Sequence, residues 1–112
     1  MRQTLIQITR NGMGAGDDEL GILLIKNYLT LLCEERELPQ VIAFYHAGVK
    51  LICAGSPVAD ILRTLEHRGV KLMACKTCLN YFGLIDQMEV GIAGTMMDIQ
   101  LLQKAAGKVI NL

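Results

Sequence analysis

The sequence predicts an α/β domain: a mostly parallel five-stranded sheet with helices on both faces, the three-layer plan of flavodoxin-like and Rossmann-like folds. Three observations lead there. Five short β-prone runs alternate with helical patterns, and such alternation builds right-handed crossovers and parallel pairing. The 112 residues are 52% apolar but only 4% aromatic, so one domain, residues 1–112, builds its core from Leu, Ile, Val, Met and Ala. The helical patterns begin on cap residues, and two of them stop at glycine.

Thr4–Ile8 (TLIQI) reads as the first strand, and Thr9–Gly16 (TRNGMGAG) as a loop with three glycines. Asp17, Asp18 and Glu19 open a helix that runs to about Glu35, since carboxylates favour the positive end of the helix dipole. Its apolar residues cover roughly 220° of the helical wheel, wider than one core-facing stripe needs. That breadth predicts packing on the sheet and also on a second subunit. After Pro39, Gln40–Tyr45 is the second strand and His46–Lys50 a turn. Ser56 as N-cap and Pro57 at the first helical position start the second helix. Val58, Ile61, Leu62 and Leu65 give it an i, i+3, i+4, i+7 stripe, and Gly69 ends it. Val70–Ala74 is the third strand, running straight into Cys75. Leu79–Gln87 is a short helix or turn, and Met88–Ala93 the fourth strand. Thr95-x-x-Asp98 caps a helix that reaches Ala106 and stops at Gly107. Lys108–Leu112 closes the sheet.

Composition excludes several function classes. Eleven basic residues balance eleven acidic ones, so no strong field draws in nucleic acid or an anionic membrane. The few aromatics leave little on which to stack bases. No apolar run reaches the roughly 18 residues of a membrane span, and the N-terminal stretch lacks a secretory apolar region. A cytoplasmic protein is therefore expected. Its four cysteines, Cys33, Cys53, Cys75 and Cys78, are then thiols rather than a disulfide scaffold.

In a parallel α/β sheet the site lies at the carboxyl ends of the strands. The loops there are Thr9–Gly16, His46–Lys50, Cys75–Gly83 and the Ala93–Thr95 turn. They hold the candidate residues: Cys75 and Cys78 as reacting thiols, with Gly14, Gly16, Asp17, His46, Lys50, Lys76, Asn80 and Tyr81 in support. Cys78 should fall at the start of a helical turn, where backbone N–H groups favour a thiolate, and Lys76 adds a nearby positive charge. Such a thiolate attacks a sulfane sulfur, holds a persulfide and passes the outer sulfur on, or reduces a disulfide. His46 reads as a base or thiolate partner, or as a solvated turn residue. Lys50 reads as a holder of an anionic sulfur species, or as a plain exposed lysine. Tyr81 and Phe82 are expected to pack the cysteine loop, and Met96 and Met97 to join the core.

Other readings stand beside these. C-x-x-C supplies two zinc ligands, but no second close pair of ligands accompanies it, so no metal and no cofactor is expected. Gly12-Met13-Gly14-Ala15-Gly16 is neither the dinucleotide fingerprint nor a P-loop, and Asp17 and Asp18 would repel a phosphate. The glycines are instead expected to let this loop pass close to the cysteine loop. Cys33 and Cys53 read as packing residues, Cys53 alternatively as a third thiol in the site. His67 reads as a cation at the carboxyl end of the second helix.

Gly16-Asp17-Asp18-Glu19-Leu20-Gly21, Phe44–Leu51 (FYHAGVKL) and Cys75–Leu84 (CKTCLNYFGL) together resemble the DsrE/DsrF-like family over nearly the whole chain. The sequence is most similar to the DsrE-like domain of YedF-type proteins, sulfurtransferase-like proteins of selenium metabolism. The resemblance implies a five-stranded DsrE-like fold and a homo-oligomer, as a dimer, trimer or hexamer. It also implies sulfur relay through a persulfide on Cys75, assisted by Cys78. The partners it implies are sulfur donor and acceptor proteins, among them a TusA-like carrier on another polypeptide. Two positions depart from that subset: Lys76 replaces a common glycine, and His46 replaces a small polar residue. A dithiol redox protein and a non-enzymatic oligomeric binding module remain as alternatives.

Overall fold

A computed structural model describes residues 3–112, so Met1 and Arg2, which open the N-terminal stretch weighed above, lie outside it. The elements follow the expected alternation: β1 (Thr4–Ile8), α1 (Asp18–Cys33), β2 (Val41–Phe44), a 3-10 segment (His46–Ile52), α2 (Ala59–His67), β3 (Lys71–Cys75), α3 (Lys76–Tyr81), a 3-10 turn (Ile85–Gln87), β4 (Ile92–Gly94), α4 (Met96–Ala105) and β5 (Lys108–Asn111). The sheet order is β4-β3-β2-β1-β5, and every pairing is parallel.

That order explains the layers. From β1 to β4 the chain steps in one direction across the sheet. From β4 to β5 it must return, and a right-handed crossover then puts α4 on the opposite face. Side chains alternate accordingly. Ile6, Ile8, Ile42, Phe44, Leu72 and Ala74 join one core with Ile25, Leu29 and Leu32 of α1 and Leu62 and Leu65 of α2. Leu5, Val41 and Ala43 face Leu102 of α4 and Ala106 just past its end, while Met73 and Cys75 face Ile99. Because both faces are covered, all five residues of β1 and all four of β2 are buried. Gln7 lies on the α4 face, where it accepts a hydrogen bond from Gln103 (2.6 Å) and donates one to Asn111. These bonds satisfy an amide that burial would otherwise penalise.

The caps of α1 and α4 form as expected. Asp17 accepts from the Leu20 N–H (2.9 Å), and Thr95 and Asp98 form a reciprocal capping box. Five elements differ. The short helix expected over Leu79–Gln87 instead starts at Lys76 as α3 and ends at Tyr81, with the 3-10 turn Ile85–Gln87 after it. Ser56 accepts from the Val58 N–H (3.2 Å), a bond two residues ahead that makes a turn, so α2 starts only at Ala59. His46–Lys50 is the start of a 3-10 helix rather than a simple turn. The third strand is shifted by one residue and ends on Cys75 itself. The fourth strand is halved: Met88 bridges Cys53, and the Gly91 N–H donates to Glu66 (2.8 Å), so Met88–Gly91 are taken up outside the sheet.

Helix α1 buries Gly21, Ile25, Leu29 and Leu32 and leaves Leu20, Leu23, Leu24 and Leu31 exposed. Ile92, Met96, Met97, Leu101 and Val109 are exposed around α4, so Met96 and Met97 are not core residues as the sequence suggested. Both follow the cap at Thr95 and precede Ile99, the α4 residue wholly buried against the sheet. No helix among the described residues is long and apolar enough to cross a membrane.

Candidate functional site

The end of β3 brings the two thiols together. Along β3 the side chains of Met73 and Cys75 point to the α4 face. Cys75 is 1% exposed, packed with Met73 and Ile99 and flanked by Tyr45, Leu102 and Cys78. It is also the N-cap residue of α3, so the chain turns sharply there and Cys78 comes round in the first helical turn. Cys78 is half-buried and packs against the cluster that holds Cys75. All four cysteines are free.

His46 reaches Cys78 through its backbone. Its N–H donates to Cys78 Sγ at 3.0 Å. His46 is the one non-glycine residue with positive φ among the described residues (φ 54°). A residue with a Cβ held there stores strain of about 1 kcal/mol or more, and such strain collects at functional sites. What fixes the backbone is the close passage of the 3-10 segment over β1. Gly48 lies against Ile8, with no room for a side chain.

The electrostatics differ from the expectation of a ready thiolate. Burial pushes the Cys78 thiol above its ordinary pKa, the contact with Cys75 adds to this, and the His46 N–H pulls only partly the other way. Lys76 is exposed and takes no part in that balance. Burial also raises the thiols of Cys33 and Cys53. Cys53 donates to the Val49 carbonyl (3.2 Å), as a packed thiol does.

The remaining candidates fall into two groups. Gly14, Gly16, Asp17, His46 and Lys50 line one cavity of about 400 Å³, with Arg10 and Asn11. Lys76, Asn80 and Tyr81 do not line it and are exposed; Tyr81 is 84% exposed, so it does not shield the cysteine loop. Its ring instead meets Phe82 edge-on, at 5.3 Å between centroids. Lys50 Nζ sits 4.6 Å above the Phe82 ring, which ties the glycine-loop cavity to the cysteine segment. The glycine loop itself makes its close approach elsewhere. Gly12 packs on Gly21 of α1, where a Cβ would come within 2.8 Å of backbone, and not on the cysteine loop. The sequence reading missed Arg10 and Asn11, which carry no motif, and the His46 N–H, which is a backbone group. It also missed the burial of Cys75, which the alternation Lys71, Met73, Cys75 would have shown had the strand been extended by one residue.

Residues 14–112 match the DsrE/DsrF-like family. The chain belongs to that family. Two solved structures share its DsrE-like fold. The ychN protein from E. coli superposes with a TM-score of 0.74 at 19% identity, covering 100% of both chains. A protein of unknown function, MTH1491 from Methanobacterium thermoautotrophicum, gives 0.71 at 20% identity over 97% of each. No curated protein matches the chain. Within the DsrE/DsrF-like fold the dithiol therefore sits where β3 meets α3, at the carboxyl edge of the sheet.

Proposed function

We propose that this DsrE/DsrF-like protein relays sulfane sulfur, or selenium, as a persulfide on the Cys75–Cys78 pair. It accepts the atom from a donor and passes it to an acceptor protein, such as a TusA-like carrier. The observation that carries this reading is the pair itself: two free thiols in contact at the carboxyl edge, one sealed and one half-open beneath a backbone N–H. A thiol placed so can attack a sulfane sulfur, and a second thiol in contact can resolve the product. Membership of a family associated with sulfur relay supports the same reading. The exposed leucines of α1 and the apolar residues around α4 support a homo-oligomer as the working form.

Incubating the native protein with thiosulfate or polysulfide and weighing it intact tests the proposal. One added sulfur mass at early times, lost faster on adding an acceptor thiol, is the expected result. No adduct, together with strong disulfide reduction, would transfer the reading to a dithiol redox protein. Neither activity would leave a binding module with incidental thiols.

A further inference from the structure

We propose that Cys78 receives the sulfur from the donor, and that Cys75 is the resolving thiol held beneath it. This assignment rests on the relay reading and reverses the order that the family resemblance implies. Three observations carry it. Cys75 is 1% exposed and enclosed by Met73, Ile99, Tyr45 and Leu102, so no donor reaches it without displacing α4. Cys78 packs against the same cluster that holds Cys75, so the buried thiol has the half-open one as its neighbour. Cys78 is half-open, and His46 holds a strained backbone that aims an N–H at its sulfur. A donor N–H aimed at a sulfur stabilises charge as it develops there.

The chemistry balances in two steps. Cys78 attacks the terminal sulfur of a persulfide or polysulfide donor, R–S–SH. A Cys78–S–SH persulfide forms, the donor S–S bond breaks, and R–SH leaves with the thiol proton. An acceptor thiol then attacks the outer sulfur and restores Cys78. When no acceptor is present, Cys75 attacks Cys78 Sγ instead. The Cys75–Cys78 disulfide forms, the outer sulfur leaves as hydrogen sulfide, and the two thiols have reduced it. A dithiol reductant must then reopen the disulfide. The buried thiol thus discharges a persulfide that finds no acceptor.

The test follows loading with inorganic polysulfide by intact mass, in wild type, Cys78→Ser and Cys75→Ala, after confirming that each folds. Cys75→Ala should load no more slowly than wild type, since Cys75 raises the Cys78 pKa, and should keep its sulfur until an acceptor thiol is added. Wild type should lose sulfur as sulfide and accumulate the disulfide. Cys78→Ser should load at least about tenfold more slowly, because the remaining thiol of the pair is inaccessible. A measurement on unaltered protein guards against a misfolded variant. Lys76 lies between the two cysteines, so trypsin places Cys75 and Cys78 on separate peptides. Early sulfur should appear on the peptide that begins at Thr77. Early sulfur on the Cys75 peptide, or loading of Cys78→Ser at the wild-type rate, overturns the assignment and leaves the relay standing. If no form of the protein loads, the relay fails and this assignment fails with it.

Discussion

Gly48→Ala is the substitution that most sharply tests how the fold builds the site. Gly48 belongs to the 3-10 segment that also carries His46. A Cβ built on it would lie 2.1 Å from the Ile8 carbonyl oxygen and 2.8 Å from its carbon. Real Cβ atoms do not come nearer than 3.0 Å, so the segment must move by about 0.9 Å, the shortfall between 2.1 and 3.0 Å. The same Ile8 oxygen accepts the Tyr45 N–H at 3.2 Å, a bond the movement would break. An unpaired buried carbonyl costs about 1–3 kcal/mol, and forcing a methyl into packed backbone about 1–3 kcal/mol more. The expected loss is therefore about 2–6 kcal/mol, a large part of the roughly 5–15 kcal/mol that holds a domain together. Gly14→Ala is the control. Gly14 has open space around it but φ +81°, so only dihedral strain of about 1 kcal/mol is expected. Urea denaturation of both variants gives the comparison, and maleimide labelling of Cys78 at neutral pH should slow in Gly48→Ala, because the His46 N–H that lowers the thiol's pKa withdraws from the sulfur. A Gly48→Ala loss no larger than that of Gly14→Ala would refute the steric argument.

Further outcomes follow from the geometry. Ile99→Ala removes the α4 side chain that covers Cys75, and should destabilise the protein by about 3 kcal/mol in denaturation while making Cys75 reactive to maleimide. Cys78 labelling at neutral pH should be slower than that of free cysteine and rise steeply with alkali, because burial holds its folded-state pKa up. By linkage, a thiol whose pKa is raised in the folded state contributes stability that is complete below the unfolded pKa. That stability disappears as pH climbs through the folded value, so a stability profile should decline on the alkaline side. Thr95→Ala should cost about 1 kcal/mol by removing the α4 cap, measurable as a lowered Tm. Asp98 sits in the same box and has its pKa lowered by the Thr95 backbone and side chain, so its contribution should be lost as pH falls through that lowered value.

Most of the fold was legible because local chemistry and long-range packing agree. TLIQI is a strand by residue type, and the sheet buries it on both faces. The Asp17 and Thr95 caps are short-range signals that tertiary structure does not disturb. The misread boundaries are places where a distant partner decides. Met88 belongs to Cys53 and Gly91 to Glu66, pairings no local pattern announces. The candidate site was legible in the same uneven way. The C-x-x-C spacing put both thiols at the carboxyl edge of the third strand, where they stand. Which thiol faces solvent depended on a one-residue shift of that strand, because alternate residues face opposite layers. The thiolate expectation failed for a related reason: local N–H groups were counted, but the burial supplied by the surrounding core was not.

The measurement that bears most directly on this account is a sulfur map of all four cysteines. Native protein is treated briefly with polysulfide, its thiols and persulfides are capped before discharge, and the peptides are weighed after trypsin. The account predicts added sulfur on the Cys75–Cys78 pair and none on Cys33 or Cys53. Sulfur spread evenly over the four positions, or absent from the pair while Cys33 or Cys53 carries it, would contradict it.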